Sequence, residues 1–437
     1  MTTPNNILVN VQTYQKAELA FLQNSCAVLA LSNKKFDNFQ DFTGNLGDSV
    51  TFDLAPRFVS GLGLVVDNVQ PSTQRFQTLT CSQAAYLASG YTDQQFLFNV
   101  DDYMDRFGMS AVKVLGTQIE TDILSSVDST LRVANSQSPS YGQLVPNTGP
   151  YRFFGDGVTA INSYGQLAQA LANFRNLGAD MSKTRVMLPD YLIPDIIQSG
   201  LNQFATDRNN EIANSWELGS FSDAMFYKSN LLPVHYSGTI GDAGYPNNIL
   251  TLVSTNDPSG NNVTQITFTE PTGSTSMNAV KAGDLIQGID KTFRLLRFIG
   301  NGVSAQPVQF VATEDAESTA GTVTIKIRTI TNLGLVSAYG ANQNLNKALT
   351  AGMQFAVMPS HQTGIIWSGD QWYTAMPKLP DYSPYQSVQT IDSDSGASIR
   401  HYWGNVLGQN ERLYVRDAIW ASTLVPENCM RVIFPLI

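Results

Sequence analysis

Charge is scarce in this chain. Only 14% of its 437 residues are Asp, Glu, Lys or Arg, against about 25% in typical soluble domains. The balance is acidic, with a formal net charge of −10. Holding a phosphate backbone takes clustered Lys and Arg, and the densest basic pair is Lys34-Lys35. Sequence-specific nucleic-acid binding is therefore disfavoured, although an acidic surface can face DNA without adhering to it. A poorly charged surface rich in Asn, Gln, Ser and Thr suits a protein that buries much of itself against neighbours. It also suits a stable extracellular or β-rich monomer.

Reactive side chains are equally thin. The three cysteines, Cys26, Cys81 and Cys429, are odd in number and widely spaced, so they give neither a disulfide framework nor a zinc pattern. They read as reduced packing residues. His235, His361 and His401 sit in no HExxH or His-x-His arrangement, which argues against a metal site. No G-x-S-x-G marks a nucleophile elbow. MTTPNNILVN lacks a basic, apolar leader, and the apolar run Cys26 to Leu31 is too short to span a bilayer. The expectation is a cytoplasmically made protein with no membrane, no metal and no cofactor.

What is present is periodicity. From Asp101 to Arg132, apolar or small residues recur at Met104, Phe107, Ala111, Leu115, Ile119, Ile123, Val127 and Leu131. Spacings of three and four return to one helix face. Asp101 suits the N-cap and Asp102 and Asp105 the positive end. The expected rod is about 45 Å long. Phe107, Gly108, Leu115, Gly116, Ile119 and Ile123 are its expected packing residues, with the two glycines allowing close approach.

Residues 12–33 read as a first helix. DSVTFDL and QRFQTLTCS read as two strands of a protruding hairpin, with a long tip holding Arg57, Phe58, Gly61 and Gly63. SGLG at that tip lacks the GK[ST] of a phosphate loop. Tyr164 to Leu177 reads as a helix stopped by Gly178, TRVMLP as a buried strand, and YLIPDIIQSGLNQF as a helix broken around Pro194. Between residues 237 and 354 helical periodicity gives way to NILTLVS, TQITFTE, DLIQGI, RLLRFIG, VQFVATE and TVTIKIRTI. Such short strands at close spacing suggest a small β-barrel or sandwich, inserted into an α+β layer. IIWSG, QSVQTID, ASIRHYWG, ERLYVRDAIWAS and MRVIFPL supply the closing strands.

Chemistry has few footholds. Asp101-Asp102, Glu314-Asp315-Glu317 and Asp392-Asp394 are paired carboxylates of the kind used in general acid–base work. Each also reads as a cap or a solvated turn. DSDSG at 392–396 opens like a calcium loop, but the twelfth position is Trp403, not Glu. Trp367, Trp372, Trp403 and Trp420 suit a sugar groove less well than strand packing.

Three stretches carry a resemblance to a known family. They are AGDLIQGIDKTFRLLRFIGNGVSAQPVQFVATEDAESTAGTVTIKI, HQTGIIWSGDQWYTAMPKLP and RLYVRDAIWASTLVPENCMRVIFPL. With the order of elements, they resemble the major capsid (coat) proteins of tailed bacteriophages, nearest the insertion-domain branch of the short-tailed Salmonella phages. The resemblance implies an α+β capsid fold of the lineage shared with the herpesvirus capsid floor. In that layout residues 1–35 are an N-terminal arm and 36–100 the extended loop and lead-in strands. Residues 101–236 are spine helix and peripheral and axial layers, 237–354 a β-barrel insertion domain, and 355–437 the return to those layers. It implies a non-enzymatic subunit that self-assembles into an icosahedral head around DNA, with scaffolding and portal proteins as partners. Arg57, Phe58, Gly61 and Gly63 of the loop, and Asp257, Asn261 and Asn262 of the insertion, become candidate assembly contacts. A hydrolytic virion protein and a non-catalytic tail component are the alternatives.

Overall fold

The computed structural model describes residues 27–33, 49–54, 56, 58, 75–81, 83–92, 109–128, 130–132, 144–146, 150–179, 183–198, 217–221, 223–257, 263–271, 276–297, 302–328, 344–369, 371–377, 379, 386–391, 398–405 and 411–436. Residues 1–26 and 34–35 of the expected arm, and the expected helix start with Asp101, Asp102, Met104 and Asp105, lie outside them. So do Arg57, Gly61, Gly63, Phe107, Gly108, Asn261, Asn262 and the DSDSG turn.

The long helix spans Met109–Ser125. Val112, Leu115, Ile119, Ile123 and Leu124 are buried along one stripe, and Gly116 is buried with them. The expected continuation to Arg132 is incorrect. A 3-10 turn, Ser126–Asp128, follows, and then a short strand, Thr130–Arg132, which pairs with Leu144–Pro146. Two serines account for the stop. Ser125 and Ser126 donate their hydroxyls to the carbonyls of Asp122 and Ile123 at 2.7 and 2.6 Å. These bonds compete for acceptors that another helical turn needs.

A seven-stranded sheet forms the body. Its order is Phe153–Phe154, Cys429–Pro435, His361–Ser368, Thr184–Pro189, Ala224–Ser229, Glu217–Phe221, with Val234–His235 beside His361–Ser368. Strand alternation sends side chains to opposite faces. Val186, Leu188, Ile366, Met430 and Val432 meet Leu167, Leu171 and Phe174 of the helix Tyr164–Asn176. Met187, Ile365, Trp367 and Cys429 meet Leu115, Ile119 and Ile123 of the long helix. Both faces are thus covered, which is why Val186, Met187 and Leu188 are apolar in succession. Tyr164–Asn176 begins with a Ser163–Gln166 capping box, and Gly178 beyond its end takes φ +82°. The helix Ile193–Gln198 is not broken by Pro194. It opens there, where a missing N–H costs nothing.

A five-stranded sheet gathers around Glu411–Leu424. Ser398–Asn405, Gln83–Thr92 and Trp372–Ala375 all pair with that long strand, and Gln386–Ile391 pairs with Ser398–Asn405. The hairpin Ser49–Leu54/Arg75–Thr80 rests on this sheet. Phe52 lies 4.4 Å from the Tyr373 ring, Gln77 donates to Thr423, and Leu79 packs with Cys81, Ala375 and Ala421.

The remaining sheet closes on itself. Antiparallel pairing runs from Gln265–Thr269 through Ile249–Thr255, Gln354–Val357, Leu285–Gly288, Gln309–Ala312 and Thr322–Arg328 back to Gln265–Thr269. Ala316–Thr319 and Ser276–Val280 extend it. Phe355 centres its core, with Phe268, Phe293 and Phe310 at 5.5, 6.4 and 5.4 Å. The chain leaves the body sheet at His235 and returns at His361, and these two residues are paired across adjacent strands.

Candidate functional site: a buried charge node at the neck of the ring

Four separate elements deliver charge to one buried point. Asp128 ends the 3-10 turn after the long helix. His235 lies on the strand from which the chain leaves the body sheet. Asp284 precedes a strand of the ring, and Arg431 lies on the C-terminal strand. His235 Nδ1 is 2.9 Å from Asp128 Oδ1, and Nε2 is 2.7 Å from Asp284 Oδ1. Arg431 reaches Asp128 at 3.2 Å and donates to the Pro150 carbonyl at 2.9 Å. Asp284 and Arg431 are 0% exposed and His235 4%. Asp284 is saturated further: it accepts from the Ser237 hydroxyl at 2.7 Å and from the N–H groups of Gly238 and Lys281 at 3.1 and 2.8 Å.

The electrostatics follow from this geometry. Burial disfavours an imidazolium at His235, but the carboxylates of Asp128 and Asp284 outweigh it and raise the pKa to about 9. Burial likewise works against the Asp128 carboxylate, and the charges of His235 and Arg431 hold it below its ordinary value. Arg431 is brought down to about 10 by burial, against the pull of Asp128. His361, with its ring 5.2 Å from that of His235, falls to about 4 through burial and the neighbouring cation. Two carboxylates therefore balance one guanidinium and one imidazolium, and balance requires His235 to be charged.

Glycines make room for the contact. Gly283 takes φ +94°, and a Cβ there would stand 2.9 Å from both the Asp128 carbonyl and the His235 ring. At Gly238 it would meet the Ala279 carbonyl at 2.4 Å.

A second buried acid anchors the N-terminal stretch. Glu120 accepts from Val28 N–H at 3.0 Å, at the start of the short helix Ala27–Leu31. Asn33 then exchanges backbone bonds with Trp372 and Thr374. Burial raises the Glu120 pKa to about 7, against its bonds to Val28 and Leu29 N–H.

The residues singled out from sequence are scattered. Leu115, Gly116, Ile119 and Ile123 share the buried helix stripe. Phe58 is 57% exposed. Asp257 is half-buried, and its carbonyl accepts from the Thr255 hydroxyl. Glu314 and Asp315 do not converge on a pocket: Glu314 pairs with Lys326 at the surface, and Asp315 accepts from Ala282 N–H. Trp367, Trp372 and Trp420 are in the core. The node itself escaped motif reasoning, because its members come from distant segments. The available signal was a charged residue beside or inside an apolar strand, as at Asp284 before LIQG and Arg431 within MRVIF. Among the described residues no cluster of His, Cys, Asp and Glu could hold a metal ion, and no helix is long and apolar enough to cross a membrane.

No family model and no curated protein matches the chain. Solved structures do. The capsid of Ralstonia phage GP4 aligns over 93% of this chain and 87% of its own, at 8% identity and a TM-score of 0.44. A structure of Mycobacterium phage Che8 aligns over 92% and 89%, at 8% and 0.42. The capsid asymmetric unit of cyanophage Pam1 aligns over 92% and 87%, at 9% and 0.41. Likeness at this level does not by itself assign a role.

Proposed function

We propose that this chain is a major capsid subunit of a tailed bacteriophage, a structural and non-enzymatic protein that assembles with copies of itself into an icosahedral head around DNA. The observation that carries the reading is the insertion: a closed ring of strands enters a two-face-covered body sheet between the paired residues His235 and His361. In this reading 237–354 is the insertion domain, with its last strand running on to Val357. Met109–Ser125 is the spine helix, and 36–100 contains the extended loop. The sequence resemblance lies in the insertion and the C-terminal strands, and reaches the spine helix and extended loop through the order of elements alone.

The exposed surface supports the same reading. The hairpin has little core of its own, and an isolated two-stranded hairpin is marginal in water. Phe76 on its outer face and Tyr86 and Leu413 on the adjoining sheet are exposed. Apolar surface of this kind suits contact with neighbouring copies, and many moderate contacts add up in a closed shell. Arg57, Phe58, Gly61, Gly63, Asp257, Asn261 and Asn262 remain the proposed assembly contacts, scaffolding and portal proteins the proposed partners, and the virion the proposed location. The net charge of −10 lets packaged DNA lie inside without adhering to the wall. Sedimentation velocity of the purified full chain, alone and with a co-expressed scaffold, tests the proposal. Species of capsomer size or larger are expected, and a monomer under both conditions contradicts it.

The hydrolytic alternative has less behind it. Three of its tryptophans, Trp367, Trp372 and Trp420, are core residues, and two of its candidate acids, Glu314 and Asp315, point to separate structural partners.

A further inference from the structure

Nothing in a shell-forming role requires a charged histidine at the neck of the ring. Two carboxylates, from the helix end and from the ring, meet on opposite nitrogens of one imidazole. Each nitrogen can donate to its carboxylate only when both carry protons. We propose that the node is a protonation latch: charged His235 clamps the neck of the strand ring to the body, and neutral His235 leaves two facing carboxylates and lets the neck open.

The geometry supplies the moving part as well as the clamp. The ring has its own closed hydrogen bonding, and away from the neck it stays seated on the body through Tyr151, Phe153, Leu177 and Ile433 and through the bonds of Gln309 to Phe153 at 3.1 and 2.9 Å. The neck can therefore open without unfolding the ring. Its covalent links are the two neighbouring segments around His235 and His361. Lining those links, Gly238 and Gly241 have no room for a side chain against Ala279 and Met358, so the closed neck is tightly seated.

The groups facing His235 are few. Asp128 comes from the turn after the long helix and Asp284 from the ring. His361, on the adjacent strand, donates Nδ1–H to the Pro359 carbonyl at 2.7 Å and stays neutral. Arg431 acts through Asp128. Lys281 lies near, with its ammonium on the Ser237 carbonyl at 3.2 Å.

The sign follows from His235. Its pKa of about 9 in the closed neck stands above the ordinary 6.5. The clamp is at full strength below about 6.5 and is lost as pH rises through 9. Opening linked to release of one proton rises about ten-fold per pH unit across that window and then levels off.

The test is hydrogen exchange on the full-length chain from pH 6 to 10, corrected for intrinsic exchange. It is combined with carbon-13 histidine labelling, which gives three signals at most. The expected result is one histidine titrating near 9. Protection at 235–241, 283–285 and 357–361 should fall about ten-fold per pH unit between 6.5 and 9, while protection around Phe268, Phe310 and Phe355 holds. In His235→Gln the neck should be weakly protected and pH-independent. If that variant does not fold, Asp284→Asn should lower the histidine midpoint and shift the exchange step with it. Neck and ring losing protection together, a neck unchanged to pH 10, or the same pH step in His235→Gln overturns the latch. These readouts are taken on unassembled chain, so they stand or fall apart from shell formation.

Discussion

Glu120 shows how a single buried acid sets the conditions for a contact. It sits at 2% exposure inside the long helix and receives the first N–H groups of Ala27–Leu31. With its pKa raised from 4.5 to about 7, the protonated form is the one that folding favours. Its contribution is complete below 4.5 and is lost as pH rises through 7. Gln keeps the accepting oxygen without the charge. Glu120→Gln should therefore gain on the wild type as pH rises, by on the order of 2–3 kcal/mol between pH 4.5 and 8. Thermal unfolding of both proteins across that range measures the gap, and a gap that does not widen removes the burial argument. Leu79 poses a simpler problem. It is fully buried beneath the hairpin, and Leu79→Ala should cost about 2–4 kcal/mol by leaving a cavity there. Limited proteolysis should cut the variant first within 49–80, with the body intact. Unchanged cleavage would mean that the hairpin is held elsewhere.

At the scale of elements, the ring sets a clear boundary condition. Gln354–Val357 bonds to Ile249–Thr251 on one side and Ile286–Gly288 on the other. A fragment ending at 353 opens the ring, and one ending at 358 closes it. Circular dichroism should show cooperative β-structure in 237–358 and a loss of cooperativity in 237–353. Equal stability would contradict closure. Gly116 makes a similar claim for the helix. Gly116→Leu should reduce soluble yield, because the position is buried on the packed stripe.

Legibility followed local signal. Six strands of the 237–354 segment were readable from β-branched alternation. Ala316–Thr319 and Ser276–Val280 were not, being polar and small. Gln83–Thr92 was missed for the same reason: QAAYLASGYT has little β-propensity and is held as a strand by ten residues of pairing to Glu411–Leu424. The helix was read too long because its apolar spacing continues past Ser125, and periodicity does not register two serine hydroxyls capping carbonyls. The node was not readable at all, since Asp128, His235, Asp284 and Arg431 meet only through the tertiary fold.

For the whole molecule, a body sheet covered on both faces, a second sheet beside it and a closed ring account for a stable subunit. They leave the hairpin face and the adjoining sheet with exposed Phe76, Tyr86 and Leu413. Assembly is the most economical account of that surface, of the inserted ring and of the low charge. Substitution of those three residues by Ser should leave the folded monomer's spectrum unchanged and reduce assembly. The most direct measurement is negative-stain electron microscopy of the purified chain. Closed shells or capsomers of uniform size are the predicted result. A field of monomers or small closed oligomers would contradict the assignment.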